Sequence, residues 1–273
     1  MAASFGIAAG MVTTSDTDNE FLRALPDEDR SEVLQAARRV RLPQRFTFYH
    51  AGELPGAIYF LEKGMASELI RMASGRTMDA SPVGRRGFVG VPAILGADSS
   101  FHHCVMQVGG EGLRVPVSVV KALYETSSAF RRVMGRFMHA RFAQATQCAA
   151  CNLMHRMEQR LARWLLITCT HTGSHHFRIS QEYLSEMVGA NRSTVTTTLR
   201  ALERSGSIEL DRTAITLKDT EALYRVACEC YRVTVAAFEK IRTPVIVEAP
   251  GIGPPAARDT GISRPRYPEP ASD

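Results

Sequence analysis

The first half of the chain alternates between apolar and polar residues, and the second half repeats its apolar residues at helical spacing. Residues 20–40 predict one or two short helices after a loose leader at residues 1–20. From residue 41 to about residue 119, short β-rich runs alternate with turn residues, which predicts a small antiparallel barrel or sandwich. Within it, EKG before MASELI predicts a tight hairpin, and TMDASPVG, HHCVMQV and GLRVPVS predict further strands.

The period of the apolar residues changes at about residue 127. Residues 127–169 contain no proline and a single glycine, which predicts one long helix. Two series recur along it every seven residues: Phe130, Phe137, Gln144 and Cys151, and, offset by three, Val133, Ala140, Gln147, Met154 and Leu161. This spacing is typical of the seam between paired helices. It favours a dimerisation helix; the alternative is a helix that packs only within its own subunit.

A second helical region follows HTGSHHF, which is expected to end the long helix near Gly173. The elements predicted after it are helices at 181–188 and 192–205, a β-hairpin at 208–217 and a last helix at 219–241. The tail has seven prolines and three glycines in 31 residues, and its sparse apolar surface predicts disorder. The expected division is a leader and β-roll (1–126), the long helix (127–169), a winged domain (170–242) and the tail (243–273).

Two short amphipathic helices with a turn between them dominate the predicted winged domain. Ser180 and Asn191 are residue types that cap helix amino termini. Gly189 can adopt the left-handed conformation that lets two helices meet at a steep angle. The positions predicted to face inward are Leu184, Val188, Val195, Leu199 and Leu202. Followed by the hairpin, this pattern predicts a winged helix–turn–helix whose second helix enters the major groove of DNA.

Small hydroxyl side chains dominate the outward face of that second helix. They allow the helix to approach base edges closely and can donate or accept hydrogen bonds, while Arg192 can reach both acceptors of a guanine. Side chains near helix amino termini can hold phosphates. The predicted DNA-binding residues are Arg192, Ser193, Thr194, Thr196, Thr197 and Arg200, with Ser180, Gln181 and Asn191 beside them. The alternative is a helical hairpin with a solvated hydroxyl face.

The order of these elements resembles the Crp/Fnr family of bacterial transcription regulators. The most specific match is RISQEYLSEMVGANRSTVTTTLRALERSGSIEL, preceded by RLARWLL, and the roll matches in LPQRFTFYHAGE and AIYFLEKG. The resemblance covers about residues 20–220. It implies an α+β fold with a cyclic-nucleotide-binding-like antiparallel β-roll (a jelly roll), a long dimerisation helix and a winged helix–turn–helix. It also implies a homodimer on an inverted repeat of double-stranded DNA, with RNA polymerase as a candidate partner.

The resemblance can be carried over residue by residue in the second helix. Arg192 matches the arginine that the family commonly uses on the bases. The next position is usually a glutamate, which accepts from the amino group of cytosine; Ser193 reads bases less strictly. Thr196, Thr197 and Arg200 match the other groove-facing positions. The family's usual target sequence is therefore not carried over.

The sensor half departs from the family's cyclic-nucleotide pattern. Members that bind cyclic AMP carry a Gly-Glu pair for the ribose and an Arg-Ser pair for the phosphate. In the matching stretch at residues 84–104, no acid follows a glycine around Val89 to Val91, and His102, His103 and Cys104 stand where the Arg-Ser pair is expected. A cyclic phosphate would lack its charge-assisted partner. Arg85 and Arg86 are candidate substitutes for that partner, but they lie ahead of the loop. The effector is unknown from the sequence, and no cofactor is predicted.

Six cysteines are scattered through a chain too large to need disulfides. Cys148 and Cys151 lie one helical turn apart, so two subunits could bring four thiolates together for zinc, a cluster or redox disulfides. The alternative, small core residues, is favoured. Cys228 and Cys230 are expected to point in different directions, and His102 and Cys104 share a strand face where packing is the favoured role. No metal site is predicted, and the amino-terminal cysteine group of the family's iron–sulfur sensors is missing.

The charge distribution of the chain and the catalytic motifs that its sequence lacks limit the classes of function that it can have. The net charge is +5, and residues 127–173 hold seven arginines against one glutamate. Such a basic zone can attract nucleic acid; the alternative is a solvated helix face rich in arginine. The sequence contains no HExxH motif and no phosphate-binding glycine loop with its lysine, so an enzyme is not expected. Without an apolar run of membrane length or a basic start before an apolar segment, we expect a cytoplasmic protein. The favoured function is a DNA-binding regulator; the alternative is an effector- or partner-binding module without DNA readout.

Overall fold

An antiparallel β-roll forms the first half of the computed structural model, which describes residues 17–73 and 77–242. Its strands are β1 (Arg38–Leu42), β2 (Thr47–Tyr49), β3 (Ile58–Arg71), β4 (Thr77–Val83), β5 (Phe88–Val89) and β6 (His103–Val115). They form one sheet in the order β1-β6-β3-β4, with β2 paired to β6 and β5 paired to β3. The predicted antiparallel fold class is confirmed.

The hairpin predicted at EKG does not form. The strand β3 continues through Gly64 for 14 residues, and its register against β6 shifts on both sides of that glycine. Gly64 has φ +82°, and a Cβ atom there would lie 2.5 Å from the carbonyl oxygen of Val108. A glycine at positive φ serves a bulge as well as a turn. Contact with β6 selects the bulge, and the separately predicted strands HHCVMQV and GLRV join into one.

Four short helices flank the roll: α1 (Glu20–Arg23), α2 (Asp27–Gln35), α3 (Val91–Ile94) and α4 (Val117–Thr126). The first two confirm the helices predicted at 20–40. The predicted loose leader is wrong at its end, because Asn19 is fully buried and its side-chain amide donates to the carbonyl oxygens of Leu61 and Gly87 at 2.8 and 2.7 Å. Residues 1–16 of that leader and the predicted disordered tail at 243–273 lie outside the described residues.

The long helix predicted at 127–169 is two helices. They are α5 (Ser128–Met154) and α6 (Met157–Thr172), separated by His155 and Arg156 in extended conformation. Neither proline nor glycine marks this break. The side chain of Gln159 accepts from the backbone N–H of Arg156 at 3.2 Å, which caps the start of α6. The predicted end of the helical region is confirmed, because Gly173 terminates α6 in the left-handed conformation.

The predicted helix seam mostly packs within its own subunit. Phe130, Phe137, Gln144 and Cys151 are fully buried, as are Val133, Ala140 and Leu161. The aromatic members stack against the roll, with Phe137 4.9 Å from Phe88 between ring centroids. These residues therefore do not form a seam between subunits, which is the alternative that the spacing left open. The apolar side chains of α5 that remain exposed are Phe142 (69%), Leu153 (84%) and Met154 (79%).

The winged half contains the predicted helix–turn–helix and hairpin. Its elements are β7 (His176–Arg178), α7 (Gln181–Val188), α8 (Arg192–Arg204), β8 (Ile208–Leu210), β9 (Ala214–Leu217), α9 (Thr220–Val226), α10 (Cys230–Glu239) and a 3₁₀ turn (Lys240–Arg242). The last helix predicted at 219–241 is interrupted between Val226 and Cys230, where Ala227 is extended. The strand β7 was not predicted; it pairs with β9 and extends the wing to three strands.

One apolar core joins the winged half to the roll. Leu184 and Leu199 from the winged half and Leu165 of α6 share a buried cluster with Met65 and Leu69 of β3. A polar contact crosses the same boundary, because the amide of Gln107 on β6 donates to the sulfur of Met187 on α7 at 2.9 Å. The roll thus sets the position of the helix–turn–helix. Among the residues described, no helix has the length and apolar character to cross a bilayer.

Candidate nucleic-acid interface

Local capping builds the helix–turn–helix. The Ser180 hydroxyl accepts from the backbone N–H of Tyr183 at 3.2 Å, which starts α7 as predicted. Gly189 ends α7 at φ +65°, a conformation that residues with a Cβ rarely adopt. The guanidinium of Arg160 on α6 donates to the carbonyl oxygen of Val188 at 2.6 Å and satisfies the end of that helix. Asn191 occupies the N-cap position of α8, but its side chain makes no capping hydrogen bond.

Burial separates the two faces of α8 cleanly. Val195 and Leu199 are fully buried and Leu202 is 1% exposed, so the predicted inward face is confirmed. They pack against Leu184 of α7 and Ile215 of the wing in one cluster. Burial of these aliphatic side chains holds α8 against the domain, since each contributes roughly 1.5–3 kcal/mol. The opposite face is left for another molecule.

The outward face collects most of the predicted DNA-binding side chains. The exposed members are Arg192, Ser193, Thr194, Thr197 and Arg200 on α8, with Asn191 just before it and Ser180 at the start of α7. Arg192 is the first residue of α8, at the helix end that recognition helices direct at base edges. The structure thus brings one contiguous polar surface together from seven of the nine predicted residues.

The two remaining predicted residues bond to each other. The hydroxyl of Thr196 donates to the amide oxygen of Gln181 at 2.8 Å, and both side chains are only partly exposed. This bond connects α7 to α8 across the turn. It occupies the hydroxyl proton of Thr196 and the amide oxygen of Gln181.

The wing adds two cationic residues that the sequence prediction missed. Arg212 lies in the exposed turn between β8 and β9, and Arg178 lies on the exposed side of β7. In the sequence, β7 is marked only by the polar–apolar–polar alternation of His176, Phe177 and Arg178. In the structure these residues are exposed, buried and exposed in turn. Three residues are shorter than the runs usually needed to predict a strand from alternation.

Comparison with known proteins agrees with this geometry. The Crp-like helix–turn–helix domain family matches residues 159–226. A global nitrogen regulator of Nostoc sp. is 27% identical over 190 residues, covering 66% of this chain and 84% of that protein. FixK2 from Bradyrhizobium japonicum superposes with a TM-score of 0.60 at 14% identity, covering 70% of this chain and 98% of FixK2. A CRP-family regulator from Thermus thermophilus gives 0.57 at 20%, covering 69% and 96%.

The chain is a transcription regulator with a Crp-like helix–turn–helix domain. The DNA-binding element of that domain is the helix–turn–helix of α7 and α8. The family match begins within α6 and ends with α9. It therefore includes the whole outward face of α8 and the wing.

The interior of the roll contains polar side chains of the chain itself. Arg141 of α5 donates to the carbonyl oxygens of Ser81 and Pro82 at 3.2 and 3.0 Å and to the carboxylate of Glu68 at 2.8 Å. Tyr49 donates to the same carboxylate at 3.1 Å. Beside them the buried carboxyl of Asp79 bonds to Ser67, and burial raises the pKa of Asp79.

The two arginines considered as substitutes for a phosphate partner are engaged elsewhere. Arg85 and Arg86 lie 3.1 and 3.5 Å from the carboxylate oxygens of Glu20. Behind them, burial and these positive charges lower the pKa of His171 to about 3. His171 is therefore neutral at physiological pH and does not act as a cationic phosphate partner.

The histidine–cysteine run of the roll does not form a metal-ligating group among the described residues. Cys104 is fully buried between strands, and burial raises its pKa well above the usual value. His103 instead stacks on His50, with 4.9 Å between ring centroids. Packing, the favoured role for His102 and Cys104 in the sequence, agrees with these positions.

The cysteines of the second half are grouped differently from the prediction. Cys148 faces the roll, where its sulfur lies 3.7 Å from the carbonyl oxygen of Asp79. Cys151 instead lies 3.5 Å from Cys228, between sulfur atoms. Cys228 and Cys230 point to the same place, contrary to the prediction, because Cys228 precedes α10 and only Cys230 is helical. Cys148 is buried and lies outside the group that Cys151 joins, which agrees with the core role favoured for it in the sequence.

Proposed function

We propose that this regulator binds an inverted repeat as a homodimer, with α8 of each subunit in the major groove. The observation that carries the proposal is the exposed polar face of α8, fixed from behind by a fully buried apolar face. In the division that we propose, residues 1–126 receive a signal, 127–169 join the subunits and 170–242 read the DNA. Two-fold symmetry places the half-sites about 34–36 Å apart.

The chemistry of the face suggests how each residue contributes. Arg192 would donate two hydrogen bonds from its guanidinium to one guanine. Such a bidentate pair discriminates against a wrong base by about 1–3 kcal/mol. Ser193, Thr197 and Arg200 would contact neighbouring bases or phosphates from the same face. Ser180, Gln181 and Asn191 would hold the phosphate backbone near two helix starts. The wing cation Arg212 would bind a phosphate without reading sequence.

The surface that supports the homodimer is the exposed side of α5. Two series of exposed residues recur there every seven positions: Gly135, Phe142 and Ala149, and His139, Thr146 and Leu153. These two series form a second seven-residue seam on α5. It lies on a different side of the helix from the seam that packs inside the subunit. Phe142 and Leu153 are 69% and 84% exposed. Large apolar side chains exposed together on a helix face without a partner are unfavourable in water. A second copy of α5 would cover them.

Introducing a charge into this second seam tests the dimer. Phe142→Glu is expected to give a monomer in sedimentation velocity, because a carboxylate buried between helices lacks a partner. Loss of the bivalent contact would weaken binding to the inverted repeat by about 100-fold or more. Phe101→Glu, at a phenylalanine exposed to 89% on the roll, is the matched control and should remain dimeric. A Phe142→Glu protein that sediments as a dimer would show that the subunits meet elsewhere.

Removing the guanidinium of Arg192 tests the base-reading role. After an inverted repeat has been selected from random duplex DNA, Arg192→Ala should bind it about 5- to 150-fold more weakly, equivalent to 1–3 kcal/mol, and lose discrimination at one base pair. Arg212→Ala should instead weaken all sequences alike and reduce the slope of log affinity against log salt by about one. Arg114→Ala, which removes an exposed arginine from β6 of the roll, should leave affinity unchanged.

The outcomes of these measurements separate the proposed function from its rival. An Arg192→Ala protein with the affinity and sequence preference of the native chain would mean that α8 does not read DNA. If the native chain selected no sequence and showed no salt dependence, a partner-binding module would be favoured. Transcription in vitro from the selected site then tests whether RNA polymerase is a partner.

The boundary between roll and winged half is where a signal could act. A cleft of about 910 Å³ separates the two, with Arg45 and His103 on the roll side and Tyr183 and Asn191 on the other. The guanidinium of Arg45 lies 5.2 Å from the centre of the Tyr183 ring, a cation–π contact across the cleft. A ligand that bound one width of this cleft more tightly would shift the population of dimer arrangements.

A further inference from the structure

Four metal-ligating side chains converge where α5 ends and α10 begins. They are Cys151, His155, Cys228 and Cys230, and their ligand atoms all lie within 4.8 Å of one another. The sulfurs of Cys151 and Cys228 are 3.5 Å apart, and the sulfur of Cys230 is 3.5 Å from Nδ1 of His155. Zinc bonds of about 2.3 Å to sulfur and 2.1 Å to nitrogen imply tetrahedral edges of roughly 3.5–3.8 Å. Both measured distances correspond to such edges.

Two helix breaks create the cluster. Cys151 lies in the last turn of α5 and His155 in the extended residue after it. Cys228 lies between α9 and α10, and Cys230 is the first residue of α10. In continuous helices Cys228 and Cys230 would point in different directions. Both breaks therefore turn their cysteine and histidine side chains towards one point. Neither break contains a proline or a glycine.

Neighbouring groups orient these side chains as partners of a metal site would. The second ring nitrogen of His155, Nε2, lies 3.3 Å from the carboxylate of Glu229. This contact leaves Nδ1 directed at the sulfurs. Histidine ligands of zinc commonly donate their other ring N–H to a carboxylate, which fixes the ring orientation. The amide of Gln147 also donates to the sulfur of Cys230 at 3.1 Å.

Burial also distinguishes the cluster from a chance group of surface residues. Cys151 and Cys230 are fully buried and Cys228 is 4% exposed. Together they form a core cluster separate from the three apolar cores of the described chain. The His155 side chain, at 17% exposure, closes the solvent side. Three thiols and one imidazole therefore lie together away from water. Packing within one of the apolar cores does not account for their burial.

We propose that Cys151, His155, Cys228 and Cys230 bind one Zn²⁺ ion per chain in a closed tetrahedral site. Three cysteines and one histidine are an established ligand set for structural zinc. On binding, the thiols release their protons to solvent and the sulfurs become thiolate ligands. The ion would pin the end of α5 to the start of α10, beside the winged half. The site uses no residue of the α8 face, so its failure would leave the proposed DNA interface untouched.

Cobalt titration of the full-length chain tests the site. The reduced protein, stripped with a chelator and kept without oxygen, is titrated with Co²⁺, whose visible spectrum reports tetrahedral thiolate coordination. We expect one equivalent per chain to produce sulfur-to-cobalt charge-transfer and tetrahedral d–d bands, and one equivalent of Zn²⁺ to abolish them. Cys228→Ser should lose this spectrum. Cys148→Ser, the neighbouring cysteine outside the cluster, should retain it.

A milder variant keeps the test valid if a cysteine variant fails to fold. Glu229 is 59% exposed, so Glu229→Gln should fold normally yet bind the metal about ten- to a hundredfold more weakly. The proposal is overturned if the folded, reduced native chain takes up no Co²⁺, or if Cys228→Ser keeps the native spectrum. It is also overturned if the reduced chain takes up no metal and only forms a Cys151–Cys228 disulfide in air.

Discussion

Replacing Arg141 with alanine is expected to lower the free energy of unfolding by about 3–5 kcal/mol, the usual cost of removing one partner from a buried ion pair. The Arg141 side chain is 8% exposed and that of Glu68 is 18% exposed, so solvent screens the pair little. Without the guanidinium, the Glu68 carboxylate loses its cationic partner and keeps only the hydrogen bond from Tyr49, and the carbonyl oxygens of Ser81 and Pro82 lose the Arg141 donor. Urea unfolding followed by far-ultraviolet circular dichroism measures the difference.

Two companion variants make the Arg141 result specific. Arg132→Ala removes an exposed arginine from the same helix and should change stability by about 0.5 kcal/mol or less. Replacing both partners, as Arg141→Met with Glu68→Leu, should recover most of the loss, because no buried charge is then left alone. A loss below about 1 kcal/mol for Arg141→Ala would mean that water reaches the pair, and the roll interior would then have to be considered hydrated.

Truncating Leu199 to alanine is expected to destabilise the winged half by about 2–5 kcal/mol. Leu199 is fully buried at the centre of the inward face of α8, and its loss leaves a cavity that neighbouring elements fill only partly. The single tryptophan, Trp164, lies in the same core cluster, so its fluorescence reports this transition directly. DNA affinity should fall with the unfolded fraction, since α8 holds Arg192 only while it is packed.

The control for this truncation is a leucine outside the core. Leu54 is 46% exposed on the roll, and Leu54→Ala should change the Trp164 transition by about 0.5 kcal/mol or less. If Leu199→Ala unfolded at the same urea concentration as the native chain, α8 would not depend on its apolar face, and the assignment of an inward and an outward face would fail.

The helix–turn–helix could be predicted in detail because its determinants are local. Ser180, Gly189 and the spacing of Val195, Leu199 and Leu202 act within a few residues of one another, and α7 and α8 begin where the sequence predicted. Capping and amphipathic periodicity are properties of neighbouring residues. The outward face followed as the complement of the buried one. The β7 strand was missed because three residues carry too little periodic signal.

The sequence predictions that were wrong concern places where segments distant in the chain come into contact. A seven-residue period along α5 is satisfied equally by a second subunit and by other elements of the same chain. Only contact with Phe21, Phe88 and Phe238 shows that the same chain covers it. Gly64 permits a turn or a bulge, and the approach of β6 decides between them. Neither choice is contained in local sequence, because both depend on residues more than 20 positions away.

Local periodicity, caps and turns in the sequence are enough to specify the order of the elements, the antiparallel roll and the two faces of α8. Tertiary packing was needed to show which face of α5 is exposed, that Thr196 and Gln181 bond to each other, and that Cys151 and His155 meet Cys228 and Cys230. Local sequence does not contain these contacts because side-chain direction at a helix break depends on the packing of both flanking segments. The breaks after Met154 and Val226 lack the proline or glycine that would have marked them.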